Sequence, residues 1–326
     1  VASPEHSRFD YTYDPEKFTA FRHFYIPTDT TEVEDSLQPL VQTAPEGFLN
    51  VAQAFVKNFA AFVSTACMPF RIASANYSHR LFLQLLTAEN IRNLPTGYEP
   101  ESERQSEEDR QATARAAASK RFAELMASGE DRYKSGLVIL ADLESLLEAD
   151  EMRQAAAELM RQAEVLAWST LEVLANDLLV ELLNKKPQLA EALLKDERTK
   201  KRFQTKDISS SLSAYDYDLS GHMGDVLTAT MKIDDVEAMR SIYDVLMPSN
   251  PYLRALLGDA ELWKLNQRRN VILHRRSIVD DAYLKNTGDS LILGSELKVT
   301  PQQFKNDLKL VILIAGAMFG GLRHII

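Results

Sequence analysis

The chain has 326 residues, 45% hydrophobic and 26% charged, with 37 Lys and Arg against 47 Asp and Glu for a formal charge of −10. That balance excludes a disordered or collagen-like chain and disfavours a surface coated in nucleic acid, and the single Cys67 excludes a disulfide framework and any Cys-rich zinc site. Gly and Pro number 12 each, too few for a many-stranded sandwich or barrel, so long helices in one large or two moderate domains are expected.

Residues 1 to about 35 are rich in aromatics, among them Phe9, Tyr11, Phe18 and Phe24, with no sustained period, and read as an ordered but irregular arm. From Glu46 the apolar positions Phe48, Val51, Phe55, Phe59 and Phe62 recur at three and four residues, the spacing of an amphipathic helix. Met68-Pro69 should end it, because proline disfavours helix in the residue before it. An apolar patch at 81–86 gives way to a charged stretch at 98–116 that suits a solvated helix or a linker. The expected division falls near residues 100 to 135, taken as residues 1–132, a mostly helical N-terminal region with a charged linker and a regulatory or oligomerising role, and residues 133–326, a second helical domain.

A short helix is expected at 137–147, then a long one from Glu151 to Asn184 with Trp168, Leu171, Leu174, Leu178 and Leu182 on one stripe. Pro187 breaks it. A further segment runs from Leu189 to Phe203, a Ser-, Tyr- and Asp-rich loop from Ser209 to Gly224, and a helix from Val236 to Leu246, stopped by Met247-Pro248 and an Asn250-Pro251 turn. Asp259 can cap the next helix, which carries Leu262, Trp263 and Leu265. Residues 290–293 and 297–300 flank Gly294-Ser295-Glu296 as a small β-hairpin would. Thr300-Pro301-Gln302-Gln303 then supplies an N-cap, a proline at the first helical position and a glutamine three residues on, the start of a last helix. The fold class expected is all-α with one minor hairpin. The longest apolar run, 310–322, is short of the roughly 20 residues that cross a bilayer. Val1 to Asp10 lacks the apolar core of a signal peptide, so a cytoplasmic protein without membrane contact is expected.

Glycine-rich phosphate loops, a nucleophile elbow and HExxH are all missing from the sequence. The six histidines are scattered, so no metal set and no cofactor is expected, and His222 reads as a loop residue without a catalytic part. Asp234-Asp235 and Asp280-Asp281 are adjacent pairs that point apart and read as solvated or capping. The segment Asn266-Gln267-Arg268-Arg269-Asn270-Val271-Ile272-Leu273-His274-Arg275-Arg276 concentrates cations, an amide and an imidazole in one helix-length window. Asn270 and His274 are four apart and share a face, whereas Arg269 lies about 140° round from His274 on an ideal helix. The two meet through the long arginine side chain, through a kink after Leu273, or across a dimer. By residue type alone, the same segment also fits a charged helix end whose cations complement the macrodipole.

Arg269-Asn270-x-x-x-His274, with Ile278-Val279-Asp280 and Tyr283-Leu284 after it and the long helix bearing Trp168-Ser169-Thr170-Leu171-Glu172 before it, resembles the HEPN ribonuclease superfamily. The resemblance covers about residues 150–326. It implies a HEPN-type helical bundle that dimerises so that two Arg/His motifs face each other as a metal-independent endoribonuclease, in a toxin or an antiviral defence effector. By that resemblance His274 is the general base or acid, Arg269 the clamp on phosphate and transition state, Asn270 an orienting group and Glu172 a supporting one. Arg268, Arg275, Arg276 and Lys264 are then candidate RNA contacts, as is the basic run from Lys195 to Lys206. The implied partners are RNA, a second or further copy of the chain, and an antitoxin or regulatory protein. Some toxin members carry a tyrosine two residues after the histidine as the target of nucleotidylation. Arg276 stands there instead. A non-catalytic module of the same fold, serving dimerisation or RNA and protein binding, is the other reading.

Overall fold

The computed structural model describes residues 17–27, 30–94, 106–203, 212–229 and 231–325. The protein is all-α: among the described residues 74% are helical and 1% strand. The helices are α1 (Ala20–His23), α2 (Thr30–Thr43), α3 (Leu49–Ala66), α4 (Met68–Arg92), α5 (Glu107–Ala127), α6 (Gly129–Leu146), α7 (Asp150–Lys185), α8 (Leu189–Lys195), α9 (Met223–Thr228), α10 (Val236–Leu246), α11 (Pro251–Leu257), α12 (Ala260–His274), α13 (Asp281–Thr287) and α14 (Pro301–Leu322). Among the described residues no single helix is long and apolar enough to cross a membrane.

The chain divides into two compact units, each made of two stretches: residues 1–30 with 67–156, and residues 31–66 with 157–326. The division expected at residue 132 is therefore displaced, because α5 and α6 pack on α4 and on each other. Of the charged stretch, residues 98–105 lie outside the described residues, and the remainder enters α5. There Ser106 accepts from the Asp109 amide, Glu107, Glu108 and Asp109 complement the helix N-terminus, and only Ala114 and Ala118 are buried. The core of this first unit sets Phe24 against Ile139, Leu140 and Leu143 of α6 and Ala73 of α4. Of the expected irregular arm, residues 1–16 lie outside the described residues, and the rest includes the helical turn α1 and the start of α2.

In the second unit α7 is the central element. Trp168, Leu171, Ala175, Leu178 and Leu182 are all fully buried, and Tyr243 of α10 donates its hydroxyl to the Ala175 carbonyl at 2.8 Å. Phe62 of α3 meets Phe304 of α14 edge-on, with centroids 6.3 Å apart. Caps start the helices where the sequence places them: Asp235 for α10, Asp259 for α12, and Thr300 followed by Pro301 for α14. Asn250-Pro251 is more than a turn, since Asn250 caps α11 with Pro251 in its first turn. Within the expected loop at 209–224, residues 209–211 lie outside the described residues, and α9 starts at Met223.

The expected hairpin around Gly294 does not form. Gly294 takes φ +79° in a turn closed by Ser295 N–H to the Ile292 carbonyl, but the chain after it pairs with residues 277–279. Val279 donates to the Ser295 carbonyl at 2.9 Å and Leu297 to Ser277 at 2.7 Å, with an antiparallel bridge between Ile278 and Glu296. The segment leaving α12 thus pairs with residues 294–297 in place of a hairpin between 290–293 and 297–300.

Candidate functional site

The C-terminal half of α12 forms one wall of an open cleft of about 410 Å³. Arg269, Asn270, His274 and Arg275 line it from this helix, and Asp234, Asp235, Asp280 and Tyr283 are on its other sides. The segment carrying Asp234 is fastened to α7 by Asn176, whose side-chain carbonyl accepts from Ile233 N at 2.9 Å and whose amide donates to the Ile233 carbonyl at 3.1 Å. Asp280, which caps α13, also accepts from Arg275 Nε at 3.0 Å.

Arg269 and His274 share this cleft with α12 unbroken between them, because the arginine side chain reaches round to Asn270. Its Nη1 donates to Asn270 Oδ1 at 3.0 Å, which brings the guanidinium onto the face that Asn270 and His274 occupy. Nη2 lies 3.6 Å from Glu172 Oε2 on α7, and the same oxygen accepts the indole N–H of Trp168 at 3.0 Å. Arg269 Nε is buried and has no hydrogen-bond partner among the described residues. Burial raises the Glu172 carboxyl above its ordinary value, while Arg269 and the Trp168 N–H hold it back. His274 is exposed at the helix C-terminus, open to solvent.

Arg268 does not line the cleft. Expected as an RNA contact, it is 2% exposed, with Nε on Glu164 and Nη2 2.9 Å from Asp307 Oδ2. In the amide orientation that satisfies both of its ends, Gln303 also accepts from Arg268 Nη1 at 2.7 Å. One residue along a helix is a turn of about 100°, which takes Arg268 into the core while Arg269 faces the cleft. Lys264 lies outside the cleft lining, beside Asp289 at 3.3 Å and Glu261 at 3.4 Å. Arg276 is exposed, just beyond the cleft, at φ +51°. In the basic run, Lys195 and Lys200 pair with Glu191 and Glu197, Arg198 with Asp196 and Asp244, and Lys206 lies outside the described residues.

Asp234, Asp235 and Asp280 line the cleft, although by sequence they read as solvated or capping. Capping does describe Asp235 and Asp280, and sequence carries no signal that these caps lie beside Arg269. His222 is elsewhere, stacked on Tyr215 with centroids 4.4 Å apart. Among the described residues no group of three or more His, Cys, Asp or Glu side chains is arranged to hold a metal ion. Comparison with protein-family models, curated proteins and solved structures finds no match to this chain.

Proposed function

We propose that this protein is a metal-independent endoribonuclease of HEPN type, a toxin or antiviral defence effector that acts as a homodimer. The observation that carries the reading is that Arg269, Asn270 and His274 line one open cleft. RNA is cut by its own 2′-hydroxyl. His274 takes the hydroxyl proton, the 2′-oxygen attacks phosphorus, and the 5′-oxygen leaves with a proton from the second copy's His274. Imidazole suits both steps because its unperturbed pKa is close to neutrality. Arg269 stabilises the charge that builds on the phosphoryl oxygens. The first unit holds the enzyme off, senses the trigger or builds the oligomer.

The test is RNA incubated with the pure protein in EDTA. Fragments ending in 2′,3′-cyclic phosphate are expected, with His274→Ala lowering the rate at least about 10²-fold. Equal cleavage by wild type and variant overturns the assignment. The acidic rim of Asp234, Asp235 and Asp280 favours a second reading, a non-catalytic helical module for dimerisation or binding, since carboxylates repel phosphate. Intact RNA after incubation with either protein, and no difference in RNA affinity between wild type and His274→Ala, is the result that reading requires.

A further inference from the structure

Trp168 and Glu172 are four residues apart on α7 and share a face. The indole is fully buried, and its N–H, which can only donate, ends on Glu172 Oε2. That oxygen is also the one nearest Arg269 Nη2. A chain of polar contacts therefore runs from the core to the cleft: Trp168 to Glu172, Glu172 to Arg269, Arg269 to Asn270. We propose that Trp168 is a positioning residue, whose indole N–H orients the Glu172 carboxylate on which the Arg269 guanidinium rests. The proposal rests on the ribonuclease reading of the cleft for its catalytic consequence, and on geometry alone for the contact chain.

The carboxylate must be charged to hold the guanidinium. Four neighbours besides the surrounding apolar wall act on it: Arg269 from α12, Trp168 from its own helix, and Asp234 and Lys232 from the segment before α10. Arg269, the indole N–H and Lys232 favour the charged form, and Asp234 and burial oppose it. Losing the indole donor tips the balance toward the neutral acid. Arg269 then loses its seat at a higher pH than before, so the acid side of the activity profile moves upward.

The chain has two tryptophans, and Trp263 Nε1 donates to the non-titrating carbonyl of Asn286 at 2.9 Å, an internal reference. In indole N–H NMR of the full chain, the Trp168 signal should move with pH while that of Trp263 does not. Glu172→Gln should abolish the movement, and Arg269→Ala should displace its midpoint to higher pH. In RNA cleavage Trp168→Phe should lower kcat about tenfold with KM little changed, and shift the acid limb upward. A Trp168 signal indifferent to pH, or a Trp168→Phe enzyme with wild-type kcat and pH profile, overturns the proposal. If the wild type cuts no RNA, binding of a 2′-O-methyl oligonucleotide decides. Weaker binding by Trp168→Phe keeps the positioning role while the ribonuclease reading falls, and unchanged binding removes both.

Discussion

Arg268 of α12 and Asp307 of α14 meet in the core, Nη2 to Oδ2 at 2.9 Å, with Glu164 of α7 on the Nε of the same guanidinium. Two carboxyls around one cation leave a surplus negative charge in a site that excludes water. Burial first, and Glu164 second, push Asp307 up from 3.8 to about 8. The folded chain therefore holds a proton on Asp307 that the unfolded chain has lost, and stability falls as pH rises between those two values. Asp307→Asn keeps the shape without the titration. Urea midpoints across this window should show the variant gaining steadily on the wild type as pH rises. Parallel curves would falsify the stored proton.

Removing Arg268 leaves two buried carboxyls with no cation. Arg268→Ala is expected to cost about 3–5 kcal/mol, a loss typical of breaking a buried pair from one side. Urea denaturation at neutral pH measures it. A loss below about 1 kcal/mol, the range of exposed pairs, would mean that water reaches the cluster.

Arg276 and Ser277 both have positive φ, +51° and +64°. They close α12 by a reversed turn in which Ser277 N–H reaches the Val271 carbonyl at 3.1 Å, and glycine is the residue that usually takes such a position. Arg276→Gly should raise stability by about 1 kcal/mol through relief of left-handed strain. A lower melting temperature in calorimetry contradicts this account and assigns Arg276 an undetected stabilising contact.

Arg275 is exposed and paired with Asp280. Its pair adds at most about 1 kcal/mol, so Arg275→Ala should leave the melting temperature nearly unchanged. If RNA occupies the cleft, the same change should reduce the slope of log affinity against log salt by about 1. An unaltered slope places the RNA backbone elsewhere.

Much of the helical architecture is legible in the sequence because it rests on local chemistry. The α12 and α14 starts follow from Asp259 and Thr300, which satisfy amides within three residues. The long α7 follows from its apolar stripe and from Pro187 beyond it. Elements that depend on distant partners are the ones misjudged. Residues 290–293 have hairpin composition, yet 294–297 pairs with 277–279 because α12 ends with its outgoing chain alongside. The charged stretch reads as a solvated helix or a linker, and where it enters α5 it is a largely exposed helix whose buried contacts are the small alanines at 114 and 118.

For the site, residue order alone puts an arginine, an amide and a histidine within one helical window, with Asn270 and His274 on a shared face. It does not distinguish Arg268 from Arg269, since adjacent arginines have the same composition and the same propensity. Packing makes the distinction: Arg268 is sealed between Glu164 and Asp307, while Arg269 curls to Asn270 and Glu172 at the cleft. The reason is physical. Which side of a helix faces the core depends on the groups that neighbouring helices bring to it, and here those are carboxylates at residues 164, 172 and 307, far away along the chain.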